Sequence, residues 1–384
     1  MSQQYYPIIL QLGSRFIRAG FAGDAVPIVR RRTNLYDLEG VHISPLGTSH
    51  AHFEDFGDEP NESKNDGSQV LWNYDLVGAS LDKIEQVLER IIYDIYLTDL
   101  LIDPKNCKVL VIEPPFFPVP LKNLISKVLL FHMHAQSVRF FPEPVMTTIS
   151  SGSHSALVID MGWNQTTITP VFDLRQLYKY ARSTTRAGRW LHEEVRKSLK
   201  ENGCPYGFEF VERFICEAMY AGIASGSDEN MYTFEGHDIP MEVRYELIEN
   251  VFFPSSTSNE DDNAQSIAEL VSQCLHELGI DLRAALKGQI IITGGISHIP
   301  GIKSRLLMEL ADKCGAGGIK SLGAWEGARQ GKIKKTCPCM KKCGEETGAR
   351  KGAYCRWEHG HPQHDNDFLY TISGCKVKVG HTDT

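Results

Sequence analysis

Two short stretches of this chain combine a glycine turn with a polar residue at the end of an apolar strand. Residues 155–172, SALVIDMGWNQTTITPVF, run apolar up to Asp160, turn at Gly162 and continue as a threonine-rich strand. Residues 7–22, PIILQLGSRFIRAGFA, are a near-twin, with Gln11 at the strand end and the turn at Gly13-Ser14. The chemistry this suits is the holding of an anion. Backbone N–H groups of a tight turn can line a phosphate, and glycine lets it come close. Two such hairpins, one domain length apart, predict a duplicated fold gripping a phosphate chain from both sides. Plainer roles compete: Asp160 as a turn or capping residue, Ser14 as a turn residue, Arg18 as a surface arginine on its strand.

The elements that would position these turns can be read from periodicity. Ile84, Val87, Leu88, Ile91, Ile92 and Ile95 repeat at helical spacing over residues 81–97, with Ser80 as N-cap. A continuous apolar strand follows at 108–112, an amphipathic helix at 120–132 and a strand at 139–141. Pro142 and Pro144 then open a helix to about residue 151. Beyond the second hairpin, residues 174–182 extend the sheet, 222–237 read as polar loop, and 240–253 carry a strand and a short helix. Helices are expected at 188–202, 208–221 and 264–278, the last closed by Gly279 as a left-handed cap. Residues 289–293 form a buried strand ended by Gly294-Gly295, and a helix starts after Pro300-Gly301. Strands alternating with helices predict α/β layers, with ligands at the carboxyl ends of strands, where these turns fall.

Composition bounds the function. The 384 residues suffice for two ordinary domains, and a content of 42% hydrophobic and 23% charged residues is that of a soluble globular protein. A net charge of −8 disfavours a dedicated nucleic-acid binder. There is no basic, apolar leader and no apolar run approaching the roughly 18 residues that span a membrane. The ten cysteines then read as free thiols in a reducing cytoplasm. No Ser/His/Asp or Cys/His arrangement marks a nucleophilic site.

Four segments, in order, resemble an actin-type chain. LGSRFIRAGFAGDAVP (12–27) resembles the first phosphate loop and ALVIDMG (156–162) the second. Ala187-Gly188-Arg189 falls at the cleft-lining Gly-Arg, and IIITGGISHIPGI (290–302) resembles the adenosine-side motif. The resemblance covers about residues 8–325. It implies the actin-like, ribonuclease H-like duplicated fold with a central nucleotide cleft. Residues 1–150 are then one domain, 151–325 the second and 326–384 a divergent tail. It also implies nucleotide contacts from Gly13, Ser14, Arg18, Asp160, Gly162, Gly188, Gly294 and Gly295, with ATP or ADP and Mg²⁺ as the ligand, or an empty cleft.

The departures from the family fall in that cleft. Gln11 stands where actins carry a cation-organising Asp, Arg15 where they have Gly, and Arg18 where they have Lys. Trp163 and Asn164 replace a second Asp and a second Gly. Glu143 falls at the glutamine that positions the attacking water, and an ionised Glu there can only accept hydrogen bonds and repels a γ-phosphate. Ile215 and Cys216 fall at the sugar-contacting Lys-Glu pair. Glu143 has a competing role as a helix first-turn carboxylate, and Trp163 as packing against the cleft wall. The expectation is a degenerate cleft that does not hydrolyse ATP, with no catalytic residue and no metal ligand assigned.

Residues 33–69 lack periodicity and include the acidic run FEDFGDEPNESKN, where actins have the subdomain that docks the next protomer. A subunit that ends a filament needs no such loop. This resembles the divergent actin-related subunit at the pointed end of dynactin. That resemblance implies a filament-forming actin-related protein and the other pointed-end subunits as partners, and a cytoplasmic, cytoskeletal role in dynein-driven transport. The rivals are an actin-related subunit of a chromatin-remodelling complex and an active ATPase on the same fold. In the tail, Cys337, Cys339, Cys343, Cys355, His359, His361 and His364 have zinc-ligand chemistry. However, Cys337 and Cys339 are too close for the usual C-x₂₋₄-C pair, which leaves only Cys339 and Cys343 suitably spaced. The tail reads instead as a disordered segment or a misread frame.

Overall fold

The computed structural model describes residues 5–24, 26–32, 81–222, 231–254 and 264–315, together with the backbone of 369–370 and 377–378. The expectations for residues 33–69, for the Ser80 cap and for the tail's cysteines and histidines lie outside these residues. Of the tail, two short strands, Leu369–Tyr370 and Val377–Lys378, pair antiparallel.

In the first sheet, β1 (Tyr6–Leu12) pairs antiparallel with β2 (Phe16–Phe21), and β2 pairs with β3 (Val29–Arg32). On its other side β1 runs parallel to β4 (Cys107–Glu113), and β4 runs parallel to β5 (Ser137–Pro142). The second sheet repeats the plan. Here β6 (Ala156–Met161) pairs antiparallel with β7 (Thr166–Phe172). Short strands β8 (Arg175–Gln176) and β9 (Arg182–Thr184) join β7. Across from them β6 runs parallel to β12 (Ile290–Thr293). Each sheet thus places a hairpin strand beside a parallel neighbour, the topology expected of a duplication.

Alternation decides which face each residue takes. Ile8, Leu10 and Leu12 point into a first core with α1 (Leu81–Asp94) and α2 (Val119–Lys127). Ile9 and Gln11 take the other face. On the second sheet, Leu157, Ile159 and Met161 join the core that contains α4 (Gly188–Glu201), α5 (Phe208–Glu217) and α7 (Ile267–Glu277). Ala156 and Val158 face the opposite way. Between the sheets lies α3 (Glu143–Ser150). Its Val145, Met146 and Ile149 pack with Leu110 and Ile112 of β4 and with Val158 and Ile291. Asp160 lies one alternation beyond Val158, so it emerges at the seam where α3 begins.

Several boundaries differ from expectation. The first two helices end in π-helical turns, Ile95–Asp99 and Val128–His132, rather than running on as α-helix. Residues 231–240 are a hairpin, β10 (Met231–Phe234) and β11 (His237–Pro240), where polar loop was expected. Glu235 and Gly236 both have positive φ, as a two-residue hairpin turn requires. Short helix α6 (Glu246–Phe252) follows. Gly279 is not a left-handed cap: its φ is −56°, and it precedes a further helix, α8 (Ile280–Lys287), that periodicity did not reveal. The last described helix, α9, runs Ile302–Cys314.

One buried cation holds the second half together. Arg186, 2% exposed, donates from Nε to the carbonyl of Ala264 at 2.6 Å and from Nη1 to the carbonyls of Val251 at 2.7 Å and Asn250 at 3.2 Å. It joins the end of α6 and the approach to α7 to the start of α4. Arg186→Ala would strip three carbonyls, two of them in buried contacts, of their donor and leave a cavity. The expected loss is about 3 kcal/mol or more, measured by denaturant unfolding of the full chain.

Candidate functional site

The two glycine turns are built alike. Gly13 N–H donates to the Phe16 carbonyl at 3.0 Å, and Gly162 N–H donates to the Gln165 carbonyl at 3.2 Å. A Cβ on Gly13 would lie 2.8 Å from the Phe16 oxygen, and one on Gly162 would lie 2.9 Å from the Gln165 oxygen. Both positions therefore require glycine for the same steric reason. Gly294, with φ +95°, closes β12 against the second turn, where a Cβ would fall 2.3 Å from the Met161 carbonyl oxygen and 2.6 Å from Asp160 Oδ1. Gly188 is similarly confined, its would-be Cβ 3.0 Å from Ile296 and 3.2 Å from Trp163. Gly295 faces open space and is not required by packing.

The polar groups of the turns engage one another. Asn164 Nδ2 donates to Ser14 Oγ at 2.8 Å, a side-chain bond that ties the tip of the second hairpin to the tip of the first. Gly188 N–H donates to the Gly162 carbonyl at 3.0 Å, and Arg189 N–H donates to the Trp163 carbonyl at 2.9 Å. The first amides of α4, which would otherwise offer an anion site, are thus committed to the second turn. Trp163 packs edge-on against Phe208 and His192, with ring centroids 5.9 and 5.5 Å away. The packing role expected of Trp163 is the one it takes.

At the seam, β1, β2, α3 and β6 bring four titratable or amide side chains together. Gln11 and Arg18 are cross-strand partners. Arg18 Nη1 donates to Gln11 Oε1 at 3.0 Å, and Gln11 Nε2 donates to Glu143 Oε1 at 2.7 Å. Burial, and after it the charge of Asp160, raise the Glu143 pKa to about 8, against the opposition of Arg18 and the Gln11 hydrogen bond. Burial also raises the Asp160 pKa, with Arg18 opposing. Burial thus pushes Glu143 toward its neutral form, away from the ionised carboxylate expected there. Arg18 is placed at the cleft seam and not on the surface, and burial lowers its pKa against the pull of Glu143.

Several of these residues depart from those a metal-bound triphosphate would use. Asp160, the carboxylate retained at a strand end, has its pKa raised by burial and shares its surroundings with a guanidinium. Among the described residues no three His, Cys, Asp or Glu side chains converge on a point that would hold a metal ion. The positions aligned with the sugar-contacting pair also fail: Ile215 is buried in the second core, and Cys216 is an exposed thiol on α5. Ser14 and the amide of Gly188 are already occupied, as above. The participation of Asn164 was missed at the level of sequence, where it was read only as a lost glycine.

The raised acid gives a pH test. Glu143 has a folded pKa above its ordinary 4.5, so the folded chain binds more protons than the unfolded one between about 4.5 and about 8. Its contribution to stability therefore falls as pH rises through that window. Glu143→Gln keeps an acceptor for Gln11 and removes the titration. The variant should be the more stable by on the order of 1–3 kcal/mol at pH 8, a gap that closes by pH 5, read from thermal unfolding in matched buffers.

Comparison with known proteins bears on the whole chain. The actin family model matches residues 2–234 and 228–328, ending within a few residues of Trp325. Actin-related protein 2 of Acanthamoeba castellanii is 27% identical over 231 residues, 56% of this chain and 59% of that protein. The chain thus spans a little over half the length of that relative. Actin-related protein 2 of Oryza sativa subsp. indica is 27% identical over 336 residues, 80% of this chain and 81% of that protein. Matched over most of its length, and folded so that its two turns face each other as a duplication demands, the chain belongs to the actin family.

Proposed function

We propose that this chain is a non-hydrolysing structural subunit that ends a short filament of another actin-related protein, as the pointed-end actin-related subunit of dynactin does. Members of the actin family generally bind a nucleotide with Mg²⁺. What supports a structural role here is the direct bond between the two turn tips, Asn164 to Ser14 at 2.8 Å, in the place where a phosphate chain would otherwise lie between them. Gln11 and Glu143 support the same reading, because the amide carries no charge and burial disfavours the ionised form of the carboxyl, whereas a hydrated divalent cation requires negative charge. The chain then works by binding: one face matches a filament end, and the other does not receive a further protomer. The acidic segment 33–69, in place of a docking loop, supports the terminal position. Its partners are a filament-forming actin-related protein and the other pointed-end subunits of dynactin, in the cytoplasm.

A nuclear remodelling subunit is the second reading, favoured by the lysines of the tail (Lys332, Lys334, Lys335, Lys341, Lys342) and opposed by the net charge of −8. Two measurements decide. Phosphate release from ATP and Mg²⁺ by the purified chain should not exceed the buffer rate, and turnover at the level of a filament-forming actin would defeat the non-hydrolysing reading. Tagged chain purified from cells should bring down dynactin subunits by mass spectrometry. Recovery of remodelling subunits without dynactin would move the protein to the second reading.

A further inference from the structure

The substitution that most alters the first turn and the one that most alters the second meet each other. Arg15 leaves the first turn, crosses the cleft and is only 6% exposed. Its guanidinium carbon lies 4.8 Å from the Trp163 ring centroid and 4.3 Å from that of Phe208. Its Nη2 donates to Glu212 Oε2 at 2.8 Å. Phe208 and Glu212 are one helical turn apart on α5, so a single face of that helix supplies both the ring and the carboxylate. His192 stacks on the far side of the site against Phe208, with ring centroids 4.2 Å apart, and fixes its plane. A second arginine of the first half follows the same course. Arg32 of β3 donates to both oxygens of Glu209 at 2.9 Å and lies 3.7 Å from Glu212.

We propose that Arg15, inserted between Trp163 and Phe208 and paired with Glu212, is a latch that holds the two halves of the cleft closed without a nucleotide. In a cleft closed by its ligand, the ligand must bind the closed state more tightly than the open one. Here contacts internal to the chain do that work. A guanidinium suits the task because it is flat and weakly hydrated, stacks on aromatic faces and keeps its charge when buried. The pair with Glu212 is largely desolvated, so removing one partner weakens the compensation of a poorly solvated charge, and opening the cleft is the way to rehydrate it. The Arg32–Glu209 pair is half-exposed and adds little by itself, but it sets the approach of β3 to α5. The inference does not depend on the filament partner or on the complex the chain joins.

Hydrogen exchange and small-angle scattering on the purified full chain test it. The radius of gyration and the exchange at residues 13–15 and 162–164 should be the same in EDTA as with ATP and Mg²⁺. Arg15→Ala should enlarge the particle and speed exchange in both turns by about tenfold or more, with β4 and β12 still protected. Glu212→Ala should act in the same direction. The double variant should lose less than the sum of the two singles, as coupled partners do. If Arg15→Ala exposes β4 as well, Arg15→Lys decides, since it keeps the charge but not the stacking. Faster exchange in the turns alone supports the latch. Exchange in Arg15→Lys equal to wild type overturns it, as does a wild-type chain that expands when nucleotide is stripped away. Neither outcome bears on hydrolysis or partners, so failure here leaves the proposed function standing.

Discussion

The constraint on which the cleft depends is steric and lies in the backbone. At Gly13 and Gly162 the amide bends back to the carbonyl three residues on, and the space where a Cβ would sit is filled by that same carbonyl oxygen. Gly294 closes against the Met161 carbonyl with still less room. Once these contacts are fixed, the strand ends carrying Gln11 and Asp160 must face each other, and α3 must begin between them. The side chains at the tips are then free to vary without disturbing the turns. This is why a cleft with the backbone of a phosphate clamp can carry Arg15, Trp163 and Asn164. The scaffold is enforced by excluded volume, whereas the chemistry depended on side chains and dipoles that could be reassigned.

What was reassigned is charge. A cation site needs ionised oxygens open to the ion, and this seam instead sets two half-buried carboxyls beside a guanidinium. With Glu143 raised by burial and by Asp160, the network carries less negative charge than its sequence suggests. Gln11 completes it by accepting from Arg18 and donating to Glu143, a bridging role that an aspartate in its place could not fill, because an ionised carboxylate has no proton to donate. The glutamine that first appears as a lost ligand is the residue that makes the seam self-sufficient.

The hairpins, the alternation that separates Leu10 from Gln11 and the helix of residues 81–94 were all legible, because local periodicity and glycine placement encode them directly. The hairpin at residues 231–240 was not read, although Glu235-Gly236 between the alternating Tyr232, Phe234 and Ile239 carries a two-residue turn signal; the polar residues before it masked the pattern. Helix α8 was missed because only Leu286 of its residues is fully buried, so it shows almost no apolar stripe. Arg186 was missed for a different reason. Its three carbonyl partners lie 64 to 78 residues away, and nothing in the local sequence points to them. The same holds for Arg15 and Trp163. Each reads alone as a loss, and only the fold shows that they touch.

That pairing bears on what a nucleotide could still do. A ligand shifts a two-state equilibrium only by the difference in its affinity for the two states, and it shifts little when one state already dominates. With Arg15 seated between Trp163 and Phe208, the closed state is favoured before any ligand arrives. Even a nucleotide that bound would then have little left to change, and hydrolysis would have no conformational consequence to select for. Closure by the latch and indifference to nucleotide are thus coupled on physical grounds. Once closure is built into the chain, the acidic and water-positioning groups are released from constraint.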